Sequence, residues 1–281
     1  MWKRCKGFLF HLFPHHIVSR FTFWLTRLRT PLKNPAIQIF IRAFNVDMNE
    51  SEHPTAESYA TFNEFFTRKL KPGARSIDAK QNTITCPADG RISQIGQYKD
   101  GHLLQAKGQN FSISQLLGGD NNYGTLCQYG SFATIYLSPR NYHRVHMPFD
   151  GELQEMIYVP GRLFSVAPYS AEVIKGLYSR NERVVSIFKT NLGYMAVVMV
   201  GAVNVAAIEM VWAGLVTPPH GKQIVRKTYT NIKLKKGDEL GIFNMGSTAI
   251  MAFEANKVTW HKNLKLQQAV QMGQSLGTVS S

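Results

Sequence analysis

The texture of this chain changes at Pro72-Gly73, and that change constrains the fold more than any other feature. Before it, apolar residues recur at helical spacing. After it, short runs of Val, Ile and Tyr are broken by Gly, Asp-Gly and Asn, the pattern of strands and turns. Ile17, Phe21, Trp24, Leu25 and Leu28 form one helical stripe, closed by Pro31. Asn34 and Pro35 suit the N-cap and first position of a second helix carrying Ile37, Phe40, Ile41 and Phe44. Thr61 to Glu64 reads as a capping box opening a third. The expectation is an α+β chain: an N-terminal region of amphipathic helices, 1–72, and a β-rich body, 73–281.

Within the body, the run from Tyr194 to Val216 approaches membrane-spanning length but contains Gly201, Asn204 and Glu209. Two buried strands, near Tyr194 to Val200 and Val203 to Trp212, are expected instead. Asn231 to Gly241 reads as strand, turn, strand, a hairpin leading straight into Gly246-Ser247.

The formal charge of +14 points to a polyanionic partner, and its placement narrows the choice. No acidic residue precedes Asp47, whereas Lys3, Arg4, Lys6, Arg20, Arg27, Arg29, Lys33 and Arg42 do. Basic residues beside Phe and Trp suit an interfacial helix on anionic lipid, each near-surface cation giving about 1 kcal/mol. No RNA-binding motif or zinc-finger spacing accompanies the charge, so no nucleic-acid partner is expected. The apolar piece from Gly7 to Phe13 is short, His-interrupted and lacks a cleavage site, unlike a signal peptide. Cys5, Cys86 and Cys127 are odd in number and widely spaced, which suits reduced thiols facing the cytosol.

Two stretches carry candidate chemistry. In Ser138 to Pro148, Ser138 can cap a short helix starting at Pro139 and ending near His146, placing His143 and His146 on one face. Such a pair is open to plain readings: surface imidazoles, a satisfied buried pair or metal ligands. Neither a third ligand nor a cysteine pair accompanies it, so no metal site is expected. Gly246-Ser247-Thr248, by itself an ordinary turn tripeptide, is the second stretch. With Asp89, in Cys86 to Ile92, and His146, Ser247 would complete the carboxylate, base and hydroxyl of a serine-activation triad. Gly246 leaves its carbonyl open to the neighbouring hydroxyl.

These stretches bring out a family resemblance. In Phe62 to Arg75, Pro87 to Gly90, Gln105 to Gly108, Tyr136 to His146, Val159 to Val166 and Gly246 to Thr248, the chain resembles phosphatidylserine decarboxylases of the bacterial, pyruvoyl-dependent type. The resemblance covers nearly the whole length. The usual Leu-Gly-Ser-Thr has Met245 in place of Leu, Ser76 stands where proline is common, and Asn141 where an acid is common.

The resemblance implies a precursor that cuts itself between Gly246 and Ser247, leaving a large subunit, 1–246, and a small subunit, 247–281. His146, oriented by Asp89, would take the Ser247 proton for attack on the Gly246 carbonyl. Elimination and loss of ammonia would leave a covalent pyruvoyl group as the cofactor, forming a Schiff base with the amine of phosphatidylserine. His143 would protonate the carbanion after CO2 leaves, giving phosphatidylethanolamine. The resemblance further implies a possible homodimer of processed protomers, attached peripherally to the cytoplasmic face of the cell membrane. Two alternatives stay open: a membrane-associated Ser-His-Asp hydrolase that keeps Ser247, although the Gly-x-Ser-x-Gly elbow is lacking, and a basic, non-enzymatic membrane adaptor.

Overall fold

A computed structural model describes residues 15–119, 123–202, 207–218, 220–244 and 247–280. The first two helices span His15–Leu25 and Lys33–Phe44. The first has an inverted face pattern: Ser19 on it and Thr26 just past its end are buried, whereas Ile17 is 70% exposed and Phe21 and Trp24 are each 58% exposed. Among the described residues no helix is long and apolar enough to cross a membrane.

The second helix starts at Lys33 with Leu32 as an N-cap that makes no side-chain bond, so Asn34 does not cap it and Pro35 lies within the first turn. Asn34 Oδ1 instead accepts from Lys33 Nζ at 2.5 Å. Asn45 closes this helix in the left-handed region, φ 52°. The third helix, Phe62–Phe66, begins as its sequence dictates: Thr61 Oγ1 accepts from the Glu64 N–H at 3.1 Å, and Glu64 accepts from the Ala60 N–H at 2.5 Å. Ile37, Val46, Ala56, Tyr59, Phe65 and Phe66 give this region a small apolar cluster of its own.

The body is built on a nine-stranded antiparallel sheet. From one edge its path runs Val225–Thr228, Gly151–Val159, Arg183–Thr190, Gly193–Val200, Ser247–Glu254, Gly130–Leu137, Gly90–Tyr98, Ala269–Val270. Lys233–Leu234 adds to Gly151–Val159 off this path. Central strands such as Gly193–Val200 and Ser247–Glu254 are dense in Val, Ile, Met and Ala, as strands covered on both faces must be. A four-stranded sheet, in the order Gly214–Thr217, Ala207–Met210, Glu239–Asn244, Arg144–His146, packs alongside.

The run from Tyr194 does form strands, Gly193–Val200 and Ala207–Met210. The expected hairpin does not close. Lys233–Leu234 pairs with Gly151–Val159, whereas Glu239–Asn244 pairs with Ala207–Met210 and Arg144–His146. The turn at Gly237-Asp238 therefore hands the chain from one sheet to the other, because each strand gains more from a distant partner than from its neighbour. Cys86 and Cys127 are buried, and burial pushes the Cys86 thiol up to about 12.

Candidate active site

Ser247 opens a central strand of the large sheet, opposite Leu137 on one side, while Thr248 faces Val200 on the other. Residues 245 and 246 and the Ser247 side chain lie outside the described residues, so the backbone on either side locates the junction. On the upstream side, Asn244 is clamped. Its Oδ1 accepts from Arg27 Nη2 at 3.0 Å, and its Nδ2 donates to Glu209 Oε1 at 3.0 Å. The segment after the first helix thus grips the residue leading into the junction.

Asp89 reaches the same end of the sheet because Gly90 begins the strand that pairs with Gly130–Leu137. Gly90 is required there: a Cβ would lie 2.4 Å from the Tyr136 carbonyl oxygen. Asp89, 4% exposed, is held by Arg75, whose Nε donates to Oδ1 at 2.9 Å and whose Nη2 donates to Oδ2 at 2.5 Å. The Met272 N–H donates to Oδ1 at 2.9 Å, and Arg75 also donates to Glu50 at 2.6 Å. Burial works against the Arg75 charge, but its bonds to Asp89 and Glu50 win and raise its pKa.

The two histidines are not on a helix. Ser138 to Asn141 forms a turn, with Asn141 Oδ1 accepting from the Ser138 N–H and hydroxyl, and Arg144–His146 is a strand. Pairing with Glu239–Asn244, and the bond from the His146 N–H to the Pro87 carbonyl at 2.7 Å, override the local cap signals. Strand alternation removes the shared face that helical spacing would have given His143 and His146.

His146 lies opposite Glu239. Its Nδ1 is 2.8 Å from the Gly237 carbonyl oxygen and its Nε2 is 3.0 Å from the Tyr142 hydroxyl. The Gly237 carbonyl makes Nδ1 the donor, so Nε2 accepts from Tyr142. Burial lowers its pKa, opposed first by the Gly237 carbonyl and then by Glu239, with Asp89 a lesser opposing charge. The described contacts thus place Asp89 on Arg75, and His146 on Gly237 and Tyr142, rather than on each other.

His143 is wholly buried, its ring 4.1 Å from that of Phe66, and neither ring nitrogen has a hydrogen-bond partner among the described residues. Burial, then the nearby Arg68 charge, lower its pKa to about 3; the Asn141 backbone opposes this without completing a bond. The ring is therefore neutral near pH 7. Its backbone carbonyl accepts from the Phe243 N–H at 2.9 Å, so it lies beside the strand that runs into the junction.

The region before Pro72 walls this site. Phe66 packs on His143, Arg68 donates to the Arg140 carbonyl at 2.9 Å, and Thr67 accepts from Arg144 Nε at 3.0 Å. A cavity of about 320 Å³ flanks the histidines without being lined by them; Arg68, Arg75, Asp89, Arg91, Arg140 and Tyr142 line it. Sequence reasoning gave Arg75, Tyr142 and Phe66 no role. All three stand inside motifs already singled out, but pairing them with Asp89, His146 and His143 needs three-dimensional proximity.

The family model for phosphatidylserine decarboxylase matches residues 62–278, and a second, described as PSD, matches residues 5–45. The chain is 50% identical over 278 residues to a phosphatidylserine decarboxylase proenzyme of Azotobacter vinelandii, covering 96% of both chains. Proteins of the same name from Bordetella avium and Methylococcus capsulatus are 48% and 47% identical, over 95% of this chain and 92% and 94% of theirs. By these matches, which take in both histidines, Asp89 and the junction, the chain belongs to the phosphatidylserine decarboxylase family.

Proposed function

We propose that this protein decarboxylates phosphatidylserine to phosphatidylethanolamine, in phospholipid biosynthesis, after cutting itself between Gly246 and Ser247. The observation that carries the reading is near-full-length identity to proteins named as proenzymes of this activity. The Ser247 hydroxyl attacks the Gly246 carbonyl and turns the peptide bond into an ester. Loss of the Ser247 α-proton then expels the Gly246 carboxylate, and hydrolysis releases ammonia. The products are chains 1–246 and 247–281, the second beginning with a pyruvoyl group.

The residues present fit that group. It arises from Ser247 itself, whose strand is paired on both sides. Next to it, the buried Thr248 hydroxyl has no hydrogen-bond partner, and His143 offers two unpartnered ring nitrogens. A pyruvoyl carbonyl supplies the electron sink that lets the serine carboxylate leave as CO2.

In this proposal Asp89, His146 and Ser247 carry out processing, and His143 supplies the proton that replaces CO2. For the triad to act, Asp89 must exchange part of its Arg75 contact for His146. Arrival of the substrate carboxylate beside His143 would offset Arg68 and favour the protonated ring. The exposed Ile17, Phe21 and Trp24 suit peripheral attachment to anionic lipid at the cytoplasmic face of the cell membrane. Association of processed protomers as a homodimer belongs to the same proposal.

Intact-mass measurement of the purified protein tests it. The expected result is two chains, the smaller starting at position 247, lacking the elements of one ammonia and reactive toward carbonyl reagents. A single active chain that retains Ser247 would sink the proposal. His146→Ala should block cutting, and His143→Ala should permit cutting but impair CO2 release; a fully active His143→Ala enzyme would overturn its role.

A further inference from the structure

Another cluster of ionisable side chains gathers where the first helix meets the body. His16 comes from the start of that helix, Glu182 precedes the strand Arg183–Thr190, and His220 follows the strand Gly214–Thr217. One donor atom from each lies within 4.8 Å of the other two. The side chains of Glu182 and His220 are only 2% and 4% exposed.

Hydrogen bonds set the state of each member. His16 Nε2 is 3.1 Å from the Gly161 carbonyl oxygen, to which it can only donate, so its Nδ1 bears the lone pair. His220 Nδ1 lies 2.9 and 2.7 Å from the two Glu182 oxygens, which makes Nδ1 the donor and leaves Nε2 with the lone pair. Tyr158 donates to Glu182 Oε1 at 2.6 Å. Both remaining nitrogens, His16 Nδ1 and His220 Nε2, are buried without a partner among the described residues. Their rings stand 4.8 Å apart, tilted by 55°. Two unpartnered imidazole nitrogens beside a buried carboxylate are unfavourable unless a cation joins them.

We propose that His16, Glu182 and His220 bind a zinc ion, or a comparable divalent transition metal, in a three-ligand site with one open position. Two imidazoles and one carboxylate match zinc's ligand preferences. Metal bonds of about 2.0–2.1 Å set ligand atoms about 3.3 Å apart in a tetrahedron, so on loading the side chains close in by up to about 1.5 Å, and the His220 ring gives up its bonds to Glu182 and turns so that its lone pair and the carboxylate face the same ion. Tyr158 then orients the ligating carboxylate from outside, as such partners commonly do.

The ion fastens the first helix to the body. It also sits at a significant place. Arg183 and Thr248 both pair with Val200, so Glu182 lies two strands from Ser247 at the same end of the sheet, a separation of about 10 Å. The site is independent of the chemistry assigned to Ser247.

The test uses the full-length protein, stripped with a chelator and titrated with zinc against a chromophoric competitor, and separately with cobalt(II). The expected result is one zinc per chain and the visible spectrum of cobalt with nitrogen and oxygen ligands. His16→Gln and His220→Gln should each weaken zinc binding by more than about tenfold, above the lower end of outer-shell effects. His261→Gln, at a histidine bonded to Ser275 elsewhere, should bind as the parent does. Zinc should raise the melting temperature of the parent but not of His16→Gln, whose helix site tolerates substitution if His220→Gln fails to fold. No stoichiometric binding by the parent, or equal binding by a folded His16→Gln, would overturn the site.

Discussion

His143 should make the fold acid-labile, and removing its imidazole should remove a defined part of that lability. The unfolded chain protonates this side chain near 6.5, whereas the native site, wholly buried and beside Arg68, does so only at about 3. Between those values the unfolded state holds a proton that the native state does not. Stability is therefore fully present above 6.5 and falls with pH until about 3. One pH unit corresponds to about 1.4 kcal/mol, so acidifying from about pH 6.5 to about pH 5 costs about 2 kcal/mol through this residue alone. A Ser247→Ala background keeps every sample uncut, so processing does not confound the comparison. Urea unfolding of that parent and of its His143→Gln derivative, each at about pH 7 and about pH 5, gives the pH slope of each. Both lose stability through other groups, including His146, whose pKa burial also lowers. The parent should lose about 2 kcal/mol more. Equal losses would refute the burial argument for His143.

Other perturbations address the support around the site. Arg75→Gln leaves the nearly buried Asp89 carboxylate without its cation, and should cost about 3–5 kcal/mol in urea unfolding; a loss below about 1 kcal/mol would mean that solvent or another group replaces the arginine. Gly90→Ala places a Cβ 2.4 Å from the Tyr136 oxygen and should destabilise by about 1–3 kcal/mol, slowing appearance of the two chains on a denaturing gel; unchanged stability and cutting would show that the strand pair has room to part. Phe21→Glu combined with Trp24→Glu, at exposed positions, should reduce cosedimentation with phosphatidylserine vesicles while far-ultraviolet circular dichroism stays unchanged. Undiminished vesicle binding would remove those residues from the membrane contact.

Local signals were legible where local physics decides. The Thr61 to Glu64 cap, the helical stripes and the strands on either side of Gly201 appear, because side-chain period and capping act over a few residues, except that the first helix ends at Leu25 and leaves Leu28 outside it. The helix expected from Pro139 to His146 failed for the opposite reason. Its signals were worth about 1 kcal/mol each, whereas the Arg144–His146 strand gains backbone bonds to Glu239–Asn244 and Pro87. The hairpin at Gly237-Asp238 failed likewise, since turn residues mark a reversal without naming the sheet that receives each arm.

From the sequence alone came an α+β chain with an apolar, basic N-terminal region, and residues Asp89, His143, His146 and Ser247 as the candidate chemistry. These rest on periodicity, charge placement and motif identity, which are properties of the chain in order. Only the tertiary structure decided that Arg75 holds Asp89, that Phe66 and Arg68 keep His143 neutral, and that His16, Glu182 and His220 meet. Such contacts join residues far apart along the chain. They arise only when sheet register and helix docking bring those residues together and burial removes the water that would otherwise screen them.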